Sequence, residues 1–186
     1  MDVDIDFADR DKILNKIKHV PASIERNGVW TKHNSGIYVT KIPENPIEGF
    51  ASIDYKEAEG LGYFKIDFLN VSIYEQIRDE QHLIELQNKE PDWSLLDNRD
   101  FVSKIIHIGN HYDLIHKMPE PINSIPRMAM FLAVIRPAKR YLVGRTWKEV
   151  AKEVWEKDDS DVYSFKRSHS ISYAFLVVIH MNLISE

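Results

Sequence analysis

The sequence contains no cysteine, which excludes a disulfide scaffold and a thiolate zinc site and fits a reducing, cytoplasmic setting. It also lacks a long apolar run. The longest, residues 174–179, is far short of the roughly 20 residues that cross a bilayer, and no basic segment followed by an apolar one opens the chain. A soluble, unprocessed protein is therefore expected. Basic residues are not in excess: 24 Lys and Arg stand against 29 Asp and Glu, a formal net charge of −5. Tight sequence-independent binding to duplex DNA through a global positive field is not expected, so any nucleic-acid contact has to be local. Internal repeats and low-complexity tracts are missing, Gly60 and Gly62 do not make the nucleotide-binding GxGxxG pattern, and no serine sits in a nucleophile motif. What is present suffices for a core. Hydrophobic residues make up 44% and aromatic residues 11% of a 186-residue chain, sized for one domain or one domain with a small appendage.

Asp2-Val3-Asp4-Ile5-Asp6-Phe7 alternates with period two, which predicts a strand with apolar groups on one face and three carboxylates on the other. A helix over residues 9–18 follows, with Ile13, Leu14 and Ile17 on its apolar side and its end near Pro21. Three β-rich pieces come next, at 36–42, 50–55 and 61–69, separated by Pro, Asn and Gly. From Ser72 onward the period is helical, with Ile73, Ile77 and Ile84 sharing a face. Helices are expected over 98–108, 123–135, 146–157 and about 169–183. The third of these carries a capping box, Thr146 with Glu149, and a stripe of Trp147, Val150, Ala151, Val154 and Trp155. An acidic loop at 158–161 precedes the last helix. The expected fold class is α+β, a small sheet over residues 1–70 followed by a helical region over 71–186.

Several groups could carry chemistry. Asp2, Asp4 and Asp6 crowd one strand face and repel each other unless cations neutralise them, and hard divalent ions prefer such oxygen ligands. An acidic chain end facing solvent accounts for the same run. Lys65 and Asp67 stand two residues apart on one face of an apolar strand, where both are awkward in a core. An ordinary edge-strand ion pair is the plain alternative to a functional pair. Basic groups recur at helix boundaries: Arg136, Lys139 and Arg140 after one helix, and Lys166, Arg167, Ser168 and His169 where the last begins. Free N–H groups and cations at a helix N-terminus suit a phosphate, whereas solvated positive ends explain each cluster equally, and the first could complement a helix C-terminus. His107 and His111 have the i, i+4 spacing of a metal pair, but Ile108-Gly109-Asn110 interrupts the helix. His107, His111 and His116 therefore read as structural or surface residues.

Taken in order, these segments resemble the polymerase core of the alpha subunit of bacterial replicative (family C) DNA polymerase III. Met1-Asp2-Val3-Asp4-Ile5-Asp6-Phe7 is similar to the family's PDxDxDF strand, with Arg10-Asp11 following as it does there. Lys32-His33-Asn34-Ser35-Gly36-Ile37-Tyr38-Val39 resembles HAxGVVI, and the block from Glu59 to Leu69, which contains Lys65-Ile66-Asp67-Phe68-Leu69, resembles GLVKFDFLGL. The block from Met128 to Pro137 resembles ALxRPGP, and Phe165-Lys166-Arg167-Ser168-His169 onward resembles FNKSHAAAYA.

The resemblance implies a nucleotidyltransferase palm followed by part of the fingers. Asp2, Asp4 and Asp67 would be the catalytic carboxylates holding two magnesium ions, with manganese as the alternative, for attack of a primer 3′-hydroxyl on a deoxynucleoside triphosphate. Lys65, Arg136, Lys166, Arg167, Ser168 and His169 would bind the nucleotide. The substrates implied are primed DNA and the triphosphate. The chain starts at the first aspartate strand and lacks the family's preceding glycine–serine motif, its exonuclease domain and its DNA-holding tail. This implies a reduced, phage-encoded relative working in a bacterial cytoplasm with a protein partner that supplies what is missing. Two alternatives stand beside this reading: a non-catalytic palm-fold protein that binds replication proteins or DNA, and a magnesium-dependent nucleotidyltransferase or nuclease for a small substrate.

Overall fold

The computed structural model describes residues 3–156 and 165–186, so Asp2 and the acidic loop expected at 158–161 lie outside the described residues. The architecture is α+β. The chain divides into two compact units, Met1–Ile77 and Arg78–Glu186.

The first unit is built on a four-stranded mixed sheet of order β1-β4-β3-β2. Strand β1 (Val3–Phe7) pairs in parallel with β4 (Ile66–Asn70), while β3 (Val29–Tyr38) is antiparallel to both β4 and β2 (Val20–Arg26). The strand read in the first residues is realised as β1, but its burial does not alternate as expected: Asp4 and Ile5 are both exposed, and Asp6 is half-buried. Phe7 stacks on Phe68 with ring centroids 5.1 Å apart, and Ile37 and Phe68 bury against Leu14, Ile13 and Ile17. These last three residues come from and just after helix α1 (Arg10–Leu14), capped by Asp9, whose carboxylate accepts from the Asp11 N–H at 3.0 Å. A second cluster gathers Ala22, Tyr38, Ile42, Ala51 and Ala58.

The structure corrects the sequence reading at four places in this unit. The helix expected over 9–18 is only α1, and Pro21, expected to end it, lies inside β2. Proline is tolerated there because β2 is an edge strand and its pairing is irregular between Pro21 and Ser23. Residues 50–55 make only isolated bridges, and Tyr55–Gly60 is a short helix, α2. The strand expected over 61–69 begins at Ile66, after a turn that holds Gly62 at φ 87°. The largest difference is the β2–β3 hairpin, of which the reading at 36–42 captures only the end. Asn27 and Gly28 close it with φ of 55° and 79°, the left-handed pair that matches the twist of a two-residue hairpin.

The second unit is helical. Its core centres on α6 (Ile125–Val134), which buries Met128, Ala129, Phe131, Leu132, Ala133 and Val134, while Arg127 in its first turn pairs with Glu120 at 3.4 Å. The long α8 (Arg167–Ile184) adds Ala174, Val177 and Met181 to the same core. α7 (Trp147–Glu153) has the expected capping box: Thr146 N–H donates to Glu149 Oε2 at 2.9 Å while the Thr146 side chain accepts from the Glu149 N–H. Trp147, Val150 and Val154 of its stripe are buried, but Ala151 is exposed. Buried polar side chains of α8 hold irregular backbone in place. Asn182 donates to the carbonyls of Leu86 and Lys89 at 2.8 Å each, closing the end of α3 (Glu80–Asn88), and His180 Nδ1 accepts from the Ile106 N–H at 3.0 Å.

Two helical expectations fail here. Ile73, Ile77 and Ile84 do not share a face: Ile73 lies in a 3-10 turn of the first unit, Ser72–Gln76, Ile77 follows that turn, and Ile84 is exposed on α3. The helix expected over 98–108 stops after α4 (Arg99–Val102), and His107 takes a left-handed backbone with φ 65°. A further short helix, α5 (Tyr112–Ile115), follows His111. No helix among the described residues is long and apolar enough to cross a membrane.

Candidate functional site

Asp4 and Asp67 are register partners on β1 and β4. Neighbouring residues in register point to the same side of a sheet, and Lys65, two residues before Asp67, points there too. The register continues into β3, where Gly36 lies opposite Asp67. A Cβ at Gly36 would meet Lys65 Cδ at 2.8 Å, so a larger residue would obstruct the lysine stem crossing the strand. Asp4 is exposed, while Asp67 is 8% and Lys65 9% exposed.

Both oxygens of Asp67 are engaged. Lys65 Nζ donates to Oδ2 in a short ion pair, and Ser35 Oγ donates to Oδ1 at 2.6 Å. Burial alone would push the Asp67 carboxyl up. The ammonium and the hydroxyl outweigh it and hold the group below the ordinary carboxylate range, ionised at neutral pH. His33 is a different case. Its Nδ1 accepts from the N–H groups of Gly36 at 2.9 Å and Ser35 at 3.3 Å, which places the ring proton on Nε2, and burial together with nearby Lys65 lowers its pKa. His33 is therefore neutral at pH 7, and its 3.8 Å approach to Asp67 Oδ1 is a contact between two acceptors rather than an ion pair.

Around this centre, Tyr55 meets His33 edge-on at 5.2 Å and lies 5.8 Å from Lys65 Nζ. Arg10 donates through its guanidinium to the Asn34 carbonyl and through its backbone to Asn70 Oδ1 at 2.7 Å, tying α1 to β3 and β4. Tyr38 is fully buried and its hydroxyl finds no partner among the described residues. Burial, with Asp54 and Asp67 adding to it, pushes its pKa up to about 12.

The donor chemistry suits a hard cation. An ionised carboxylate offers roughly four lone-pair directions, and Ser35 and Lys65 take two of those on Asp67, leaving room for sharing with Asp4. Among the described residues no set of three or more acidic, histidine or cysteine side chains is gathered as for a metal ion, and Asp2, the third expected ligand, lies outside them.

The basic residues singled out in the sequence belong to the second unit. Arg140 donates to the Ile135 carbonyl at 2.6 Å and Lys139 to the Glu153 carbonyl at 2.9 Å, so these two complete helix C-termini, one of the two roles open to them. Arg136 lies over the Phe165 ring at 4.5 Å, with its Nε buried and unpartnered among the described residues. Lys166 is the N-cap residue of α8 and Arg167 its first residue; both are exposed, as is Ser168, while His169 is half-buried with Phe165 at 6.0 Å. His107 stacks on Tyr173 at 4.2 Å and its Nε2 is buried without a partner among the described residues. His111 is half-buried and His116 exposed, the latter 3.3 Å from Asp97.

Sequence reasoning named the Lys32–Val39 block but assigned no role to Ser35 or His33, and it passed over Tyr55. The signal for Ser35 and His33 was the glycine beside them, since a glycine inside a strand marks close approach. Tyr55 carried no signal. No protein-family model, curated protein or solved structure matches this chain.

Proposed function

We propose that the chain is a nucleotidyltransferase of the family C DNA polymerase type, its small sheet the palm and its helical unit part of the fingers, acting on primed DNA and a deoxynucleoside triphosphate with a partner chain. The observation that carries this reading is the register pairing of Asp4 with Asp67 on adjacent parallel strands, with Lys65 bound to Asp67. Divalent magnesium or manganese bound there would supply charge neutralisation and an acidified hydroxyl for phosphoryl transfer. Asp4 and Asp67, with Asp2 as the proposed third ligand, would hold the ions. Lys65 would move from its carboxylate to the phosphate oxygens, and Ser35 would keep Asp67 oriented. Arg136, Lys166, Arg167, Ser168 and His169 of the helical unit are proposed as nucleotide-binding groups, because basic side chains gather at the N-terminus of α8, where the helix dipole favours an anion.

The test is metal-linked stability. Magnesium or manganese at about ten times its Kd should raise the melting temperature by roughly 3–6 °C, since a ligand that binds only the folded state stabilises it. Asp4→Asn and Asp67→Asn should each reduce that rise. An unchanged wild-type melting curve at millimolar metal would remove the metal-dependent reading. Primer extension should then appear with a partner protein rather than with the isolated chain.

One observation favours a second reading, a non-catalytic palm-fold protein that binds DNA or replication proteins. Lys65 and Ser35 already neutralise and orient Asp67, as they would in a sheet that has no metal to hold. The melting experiment separates the two.

A further inference from the structure

Ser35 holds the Asp67 carboxylate, but the strand ladder does not hold Ser35. Between the pairs Pro21↔Ile37 and Ser23↔Lys32, β2 advances two residues while β3 advances five, and on its other side β3 pairs with β4 only at Gly36 and Ile37. Among the described residues, His33, Asn34 and Ser35 therefore have no register partner in either neighbouring strand. A bulge of this kind re-aims a side chain, and it leaves backbone groups for something other than the ladder to satisfy.

Side chains take that role. His33 Nδ1 accepts from the N–H groups of Ser35 at 3.3 Å and Gly36 at 2.9 Å, so one ring atom ties down the residue that bonds Asp67 and the residue opposite it in register. The Arg10 guanidinium donates to the Asn34 carbonyl within the same bulge. The imidazole is itself confined. Tyr55 meets it edge-on at 5.2 Å, its side chain is 19% exposed, and a Cβ at Gly36 would stand 3.1 Å from Nδ1. At 3.8 Å from Asp67 Oδ1, and with both atoms acceptors, Nδ1 does not bond the carboxylate directly. Its influence passes through the backbone.

We propose that His33 is a positioning residue of the carboxylate site: it sets the β3 bulge through two N–H groups, and the bulge aims Ser35 so that Asp67 is held ready for a divalent ion shared with Asp4. The inference rests on the reading that these two carboxylates bind magnesium or manganese. Groups that orient a metal ligand without touching the metal typically control affinity by about ten- to a hundredfold. The role also makes a demand that filling space does not, because the acceptor must sit on Cγ. Asparagine carries Oδ1 at the place of the histidine Nδ1 and bonds nearby backbone N–H groups in the same manner. Glutamine places its acceptor one carbon further out.

The experiment is a titration of the full chain with manganese alone, read from the electron paramagnetic resonance signal of the free ion, with folding checked by circular dichroism. The wild type should bind. His33→Gln and Ser35→Ala should each weaken binding by about tenfold, whereas His33→Asn should stay within about threefold of the wild type. The double variant His33→Gln/Ser35→Ala should be no weaker than the weaker single one, because residues acting in series do not add. Wild-type affinity in His33→Gln, His33→Asn as weak as His33→Gln, or additive losses in the double variant would each overturn the proposal. His33→Leu, which fills the space without an acceptor, replaces His33→Gln if that variant does not fold; loss of fold in both would make His33 a residue of the fold rather than of the site. Absence of manganese binding by the wild type removes the metal-dependent reading and this inference with it, whereas binding lost in Asp67→Asn but kept in His33→Gln removes this inference alone.

Discussion

Lys65→Met should destabilise the protein by roughly 3–5 kcal/mol, read as a fall in the urea midpoint with little change in slope. The side chains of Lys65 and Asp67 are 10% and 11% exposed, so removing the ammonium leaves a carboxylate that burial disfavours and only Ser35 supports. Methionine keeps most of the stem that fills the space over Gly36, so the loss reports charge rather than packing. The double variant Lys65→Met/Asp67→Asn should recover most of the stability, because removing both charges of a buried pair is far less costly than removing one. The same variant sharpens the functional question. If Asp4 and Asp67 hold a divalent ion, magnesium should stabilise Lys65→Met more than the wild type, the ion taking over the neutralising role. No response in either protein would mean that Lys65 is the only counter-charge this carboxylate accepts.

Acid should weaken the second unit well before carboxylates titrate. Burial, with Arg136 nearby, lowers the pKa of His107 from 6.5 to about 4, and burial lowers His111 and His180 as well. The folded protein keeps these rings neutral, while the unfolded chain takes up protons near pH 6.5. Their contribution is therefore complete above about pH 6.5 and is lost as pH falls toward 4, by up to about 3 kcal/mol for His107 alone. Asp67 acts in a lower window: its depressed pKa contributes stability above the unfolded carboxylate value, lost as pH falls through the folded one. Urea unfolding at about pH 7 and about pH 5 measures the first effect. His107→Asn removes the titration while tolerating the left-handed backbone at φ 65°, and it should flatten the slope over that interval. An unchanged slope would assign the acid sensitivity to the other buried histidines.

How much of the molecule was legible in its residues varies with the range of the interactions involved. The Thr146–Glu149 cap and the apolar faces of α6 and α7 were readable because their determinants lie within a turn or two of each other. The helix at 98–108 was overread, since the same apolar spacing serves a chain that turns at His107 and buries Ile105 and Ile108 from irregular structure. The hairpin escapes a local reading although Asn27-Gly28 is a strong turn signal, because Pro21 equally suits a helix stop and the exposed strands lack clean alternation.

The candidate site divides in the same way. By itself the sequence determined that carboxylates alternate on β1, that Lys65 and Asp67 share a face, and that the net charge forbids a general nucleic-acid field, all consequences of a period of two and of simple composition. Only the tertiary structure decided that Asp4 stands beside Asp67, that Gly36 clears a path for Lys65, that Ser35 and not His33 hydrogen-bonds the carboxylate, and that Tyr55 packs edge-on against His33. Those relations depend on strand order and register between segments about 20 to 60 residues apart, which are set by how the two faces of the sheet are buried and not by any local pattern.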